Sequence, residues 1–114
     1  MIFVVNMDLK MGVGKVAAQV GHATLGTYEK ALEYPDGEEA VLLWEHHGAR
    51  KIVVKGKDTE QLVELQKKAR SIGLWTCLIQ DAGHTQVKPG SRTVLGVFGE
   101  VSEVDQVTSG LKLL

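Results

Sequence analysis

Leu74-Trp75-Thr76-Cys77-Leu78-Ile79-Gln80 and Thr93-Val94-Leu95-Gly96-Val97-Phe98 are two runs rich in β-formers, and the loop over residues 81–91 between them holds Gly83, Pro89 and Gly90. β-Branched and aromatic residues bounded by glycine and proline read as strands. Parallel neighbours need a crossover of a dozen or more residues, usually a helix. The loop is too short for one, so the last strand is expected to run antiparallel to the one before it.

Upstream of this pair, strand and helix alternate. Ile2-Phe3-Val4-Val5 and Ile52-Val53-Val54 are short apolar runs of the buried-strand kind. Gly12 and Gly14 precede a helix over about residues 13–33. At about 100° per residue, Val13, Val16, Ala17, Val20, Thr24, Thr27 and Ala31 share a face expected to pack on the sheet. Pro35-Asp36-Gly37 reads as a turn before a short helix over about residues 38–47. Asp58 reads as a helix N-cap with Gln61 three residues on. Leu62, Leu65, Ala69 and Ile72 mark that helix's inner face, and Gly73 ends it. Ser102 is expected to cap a last short helix containing Val104 and Val107. The apolar end, residues 111–114, is expected to extend a sheet edge or cover the core. The class is α/β: a three-layer α/β/α arrangement with a four-stranded mixed sheet flanked by helices.

The 114 residues are 44% hydrophobic and 24% charged, which excludes a disordered or collagen-like chain. One domain over residues 1–114 is expected. The single Cys77 rules out an internal disulfide framework. No apolar run exceeds about five residues, against the ~20 of a membrane helix. No charged-then-apolar leader precedes Ile2, so the expected location is the cytoplasm. The net charge of −1 argues against a strongly basic nucleic-acid binder. Its distribution differs: nine basic against four acidic residues between positions 47 and 92 give +5 there and −6 elsewhere. Partners respond to such local fields more than to totals.

Several chemistries fail on spacing. Gly12-Val13-Gly14-Lys15-Val16 lacks the Ser or Thr that follows the lysine of a phosphate loop. The dinucleotide fingerprint also fails, because the glycines do not directly follow the first strand. His46-His47 are adjacent and there is no paired-cysteine spacing, so a metal site is not expected. There is no Gly-x-Ser-x-Gly elbow. Cys77, inside an apolar strand, reads as an inert core thiol. Trp44 and Trp75 read as core or interface anchors.

Two clusters remain. Lys15, Gln19 and His22 lie within roughly 60° of one another on the first helix, opposite the apolar stripe. They sit beside a Gly-rich helix start whose free N–H groups attract anions. A solvated helix face would show the same spacing. The loop Gln80-Asp81-Ala82-Gly83-His84-Thr85-Gln86, closed by Pro89-Gly90-Ser91, leaves the C-terminal end of a strand, where open α/β sheets place ligands. An Asx-type turn at Asp81 would also account for it.

Met7-Asp8-Leu9-Lys10-Met11-Gly12-x-Gly14-Lys15-x-Ala17-Ala18-Gln19-x-x-His22-Ala23 resembles the opening motif of the archaeal and eukaryotic type of peptidyl-tRNA hydrolase. Lys51-x-Val53-Val54-Lys55 is similar to its second-strand motif. Leu78-Ile79-Gln80-Asp81-Ala82-Gly83-x-Thr85-Gln86 and Pro89-Gly90-Ser91-x-Thr93-Val94-Leu95-Gly96 resemble its signature loop and last strand, and Leu111-Lys112-Leu113 its ending. The chain departs from the pattern at Gly21, often Ser or Cys in the family, and at His84, often Arg. It also lacks the histidine usual just before the terminal Leu-Lys-Leu.

The resemblance implies a hydrolase that cleaves peptidyl-tRNA into peptide and tRNA, recycling tRNA from abortive translation without metal or cofactor. It implies a catalytic group of Lys15, Asp81, Thr85, Gln19 and His22. Contacts to the acceptor end would come from Lys10, Gly12, Gly14, Lys55, Gly83, His84, Lys88, Ser91 and Arg92. It also implies a homodimer. Two rival readings stay open on the residues alone: a non-catalytic RNA- or protein-binding adaptor of the same fold, and a small hydrolase of ordinary esters.

Overall fold

The computed structural model describes residues 1–81 and 90–114. The elements are β1 (Ile2–Asn6), α1 (Val13–Leu32), α2 (Pro35–His46), β2 (Ile52–Gly56), α3 (Thr59–Ser71), β3 (Trp75–Gln80), β4 (Arg92–Phe98) and α4 (Val101–Thr108). They form one four-stranded sheet in the order β2-β1-β4-β3. β1 pairs with β2 in parallel, and β4 runs antiparallel to both β1 and β3, as the loop length required. The strands β1, β2 and β3 therefore point the same way, and their C-terminal ends lie at one end of the sheet.

The central strands carry the core, because both of their faces are covered. Every residue of β1, and every residue of β4 from Thr93 to Phe98, is buried. Leu62, Ala69, Val104 and Val107 of α3 and α4 pack on one face with Val4, Val54, Leu95 and Val97. Ala23 of α1 packs on the other face with Phe3, Val5 and Val94. Burying each of the Val, Leu and Phe side chains among them contributes about 1.5–3 kcal/mol. At the far end, Trp44 and Trp75 both set their rings against Phe98, with centroids 5.5 and 6.0 Å away.

Local signals are met in detail at α3. The Asp58 Oδ1 accepts from the Gln61 N–H at 2.9 Å, and Gln61 Oε1 accepts from the Lys57 N–H at 2.6 Å. Gly73 follows the helix with φ +84°, the left-handed conformation that glycine adopts without strain. Residues 112–114 resolve the two expectations for the C-terminal end: Leu113 bridges Val54, and Lys112 and Leu114 bond the backbone of Lys55 and Val53. The segment thus extends the β2 edge.

Three expectations are corrected. Pro35-Asp36-Gly37 is not a turn but the first turn of α2, with Pro35 at the start, where its missing N–H costs nothing. Ser102 is not a cap: Glu100 holds that position, and the Ser102 hydroxyl reaches only its carboxylate, at 3.5 Å. The buried face of α1 is Gln19, Ala23, Thr27 and Ala31, while Val13 is 89% exposed and Ala17 is exposed. That face is turned roughly 50° from the apolar stripe, at about 100° per residue. Small residues decide the turn. A Cβ on Gly26 would overlap Cys77 Sγ, and one on Gly96 would overlap Thr27 Oγ1, so α1 lies close against β3 and β4 at its glycine side.

Gly26→Ala is expected to cost about 1–3 kcal/mol through overpacking. Trimming the opposing thiol in Gly26→Ala/Cys77→Ala is expected to recover most of that loss. Gly96→Ala should show no comparable rescue by Cys77→Ala. Urea unfolding midpoints of the four variants check this.

Candidate functional site

The site forms at the sheet end where β1, β2 and β3 finish. Asp81 follows β3 directly. Its backbone N–H donates to the Ser91 carbonyl at 2.9 Å, and its own carbonyl accepts from the Gly90 N–H at 3.4 Å. Both backbone bonds hold it against the start of β4. Lys15, in the first turn of α1, reaches across and donates from Nζ to Asp81 Oδ1 in a close ion pair. The carboxylate side chain is 3% exposed and the lysine side chain 19%. Such a pair is costly to desolvate, and removing one partner strands the other charge.

Gln19 stands one turn further along α1 and is buried. Its Oε1 accepts from the Thr93 hydroxyl at 2.6 Å. That bond depends on an irregularity in the sheet. Ile79 pairs with Val94 and Gln80 with Arg92, so Thr93 is an extra residue on β4. Such a bulge re-aims side chains. Without it Thr93 would alternate away from Val94; with it, both Thr93 and Val94 face α1. The Gln19 carbonyl is thereby held inward, and its amide donors are left for the cavity that this residue lines.

The cavity holds about 550 Å³ and runs between α1 and the edge of β3, from Lys15 and Asp81 past His22 and Gly26 to Glu29. His22 is exposed on its wall. The row Lys15-Gln19-His22 therefore borders the buried face of α1, rather than lying opposite it as the stripe implied. The helix start is open. Gly12 caps α1 with no side-chain bond, the first intrahelical bond is from the Val16 N–H to the Gly12 carbonyl at 3.0 Å, and a Cβ on Gly12 or Gly14 would meet nothing within 4 Å. The N–H groups of the first turn are free to meet an anion.

The basic residues spread over the same sheet end instead of joining the pair. Lys10 adopts φ +51° just before α1, and Lys55 is exposed near the end of β2. Arg92 opens β4 and folds its guanidinium onto the Gly90 carbonyl at 3.1 Å. Gly83, His84, Thr85 and Lys88 lie outside the described residues.

Two residues of the site were missed in the sequence. Thr93 reads as an ordinary strand residue until the bulge is seen. Asn6 is 1% exposed, donates to the Arg92 carbonyl at 2.8 Å and Thr59 Oγ1 at 3.1 Å, and accepts from the Asp8 N–H at 3.0 Å. It ties β1, α3 and β4 together at the site's floor. An asparagine closing an apolar strand was its only signal. Among the described residues, no cluster of three His, Cys, Asp or Glu could hold a metal ion, and no helix is long and apolar enough to cross a membrane.

Cys77 is half-buried and unpaired, facing Gly26. Burial, helped by the Glu29 carboxylate, pushes its thiol above the ordinary value. The fold therefore favours the protonated form, and that contribution to stability is lost as pH rises through the folded value. Iodoacetamide labelling of the folded protein is expected to stay slow at about pH 8.5, where a free cysteine is half ionised. Glu29→Gln should shift the labelling profile to lower pH.

A family model described as peptidyl-tRNA hydrolase PTH2 matches residues 1–114. The chain is 59% identical over 114 residues to the probable peptidyl-tRNA hydrolase 2 of Caenorhabditis elegans, covering 100% of this chain and 36% of that protein. It is 51% identical to the mitochondrial peptidyl-tRNA hydrolase 2 of Bos taurus, over 99% of this chain and 63% of the relative. It is 44% identical to the peptidyl-tRNA hydrolase of Methanopyrus kandleri, over 99% and 96% respectively. The chain thus spans less than two thirds of these animal relatives and nearly all of the archaeal one.

Proposed function

The chain belongs to the peptidyl-tRNA hydrolase PTH2 family, and on that premise we propose that it hydrolyses the ester joining a peptide to the terminal ribose of tRNA, yielding free peptide and reusable tRNA. The observation that carries this reading is the Lys15–Asp81 ion pair set at the rim of a cavity, beside an open helix N-terminus. The adaptor alternative gives no role to two opposite charges drawn so far out of solvent.

Ester hydrolysis needs a placed water, a stabiliser for the developing oxyanion and a proton for the leaving ribose oxygen. Asp81 orients the water and takes its proton. Held on Asp81 at rest, the Lys15 ammonium turns to the ester oxygen as negative charge develops there, with the first-turn N–H groups of α1 as further donors. The exchange frees the carboxylate for the water at the moment it is needed. Gln19, fixed by Thr93, offers its amide N–H groups to the ester or peptide carbonyl. His22 borders the entering substrate, and Thr85 relays the proton to the ribose oxygen.

The acceptor end of tRNA is held by Lys10, Lys55, Arg92 and Lys88 through phosphates, which position without reading sequence. Gly12, Gly14, Gly83, His84 and Ser91 let the ribose and backbone approach. The reading makes residues 1–114 one catalytic domain, needs no cofactor, and fits a cytoplasmic setting in which the lone thiol stays reduced. The enzyme works as a homodimer.

Asp81→Asn and Lys15→Ala, each shown folded by circular dichroism, are expected to lower kcat by about 10²–10⁴, the usual worth of a general base. Thr93→Val is expected to lower kcat about tenfold with little change in KM, while Thr93→Ser keeps the hydroxyl and most of the rate. The assay is release of peptide from peptidyl-tRNA in the presence of a metal chelator. Near-wild-type rates in both Asp81→Asn and Lys15→Ala would reject the assignment. Raising salt from 50 to 200 mM should raise KM steeply through lost phosphate contacts; a flat response would remove the electrostatic account of tRNA binding.

A further inference from the structure

The cavity extends well beyond the pair that performs the proposed chemistry. From Lys15 to Glu29 it follows α1 for about 21 Å at about 1.5 Å per residue. Its other wall is Leu78, Ile79 and Gln80 on β3, the terminal strand of the sheet, and among the described residues no strand pairs with the outer edge of β3. Leu25, 60% exposed, adds an apolar surface midway. Glu29 closes the far end, and no salt bridge engages it among the described residues. Glu29 lines the same cavity as Leu78 and Ile79 of β3.

Charge divides the two sides of the site. Lys10, Lys55 and Arg92 lie around the ends of β1, β2 and β4, where the RNA phosphates belong. Beyond Lys15, the α1–β3 side carries Leu25, Leu78 and Ile79 with the polar Gln19, His22 and Gln80, and its far end holds the Glu29 carboxylate, which would repel phosphates. A substrate whose ester sits at Lys15 and Asp81 must send its RNA one way and its acyl chain the other.

We infer that the groove between α1 and the open edge of β3 is the binding site for the peptide moiety of the substrate, with Glu29 as a specificity-determining residue that favours an ammonium group near its far end. The inference rests on the hydrolase reading. An extended peptide advances about 3.3 Å per residue, so roughly six residues span the groove. The chain lies beside β3 as an added strand. Backbone bonds tolerate any sequence and Leu25 gives generic apolar contact. The cationic amino terminus of a peptide of that length, or a Lys or Arg near that position, meets Glu29.

Three substrates on the same tRNA test this: a single N-acetylated residue, a hexapeptide with a free amino terminus, and the same hexapeptide N-acetylated. Glu29→Gln is expected to raise KM about threefold for the free-amine hexapeptide alone. Leu25→Asp should raise KM about tenfold for both hexapeptides and leave the single-residue substrate unchanged, with kcat held throughout. Equal weakening of all three substrates would mean that this face holds RNA, and unchanged KM for all three would mean that the groove is empty in the complex; either result overturns the inference. Wild-type protein that cleaves none of the three rejects the hydrolase reading itself, a separate result.

Discussion

The close approach of α1 to β3 and β4 is the constraint on which the rest of the molecule depends. It exists because Gly26 and Gly96 present no side chains where Cys77 and Thr27 need room. With the helix at that height and rotation, Lys15 reaches a carboxylate at the end of β3, and Gln19 reaches a hydroxyl on β4. The short Gln19–Thr93 contact, at 2.6 Å, has the less room for a helix set further from the sheet. Thr27 marks how tight the contact is: its hydroxyl is buried with no hydrogen-bond partner among the described residues, a cost of about 1–3 kcal/mol accepted at the crowded crossing.

The Lys15–Asp81 pair is poorly explained as a device for stability. Withdrawing two charges from water offsets most of what their attraction returns, and apolar side chains would serve the fold as well. Its setting makes better sense as chemistry held ready. The carboxylate is fixed through its own backbone to Gly90 and Ser91, whereas the lysine, on a long flexible stem, keeps some contact with solvent. One partner is rigid and the other can move, which suits a carboxylate that positions water and a cation that follows charge.

Much of the fold was legible because its signals are local. Asp58 and Gln61, Gly73, and the short loop before β4 each have one plausible reading, and the structure agrees with it. The rotation of α1 was not legible. The stripe weighed Val13 and Ala17 as core residues, but the rotation of α1 leaves them in solvent while Val16 and Val20 pack on the core. What fixes the rotation is the absence of side chains at Gly26 and Gly96, and a sequence pattern built on hydrophobicity gives glycine no weight. The same limit hid Thr93. A bulge is a mismatch between two strands, so neither strand shows it alone. Lys15 and Asp81 were identified in two separate motifs, and only packing brings them together.

The pairing of residues 112–114 with β2 has a wider consequence for how the molecule behaves in a crowd. An open sheet has two free edges, and each is a template on which another chain can zip. Here residues 112–114 cover Val53 to Lys55 on one of those edges. Among the described residues, the outer edge of β3 has no strand paired with it. Joining the β3 edge of one molecule to the β2 edge of the next would have to displace residues 112–114, which works against edge-to-edge growth of the sheet.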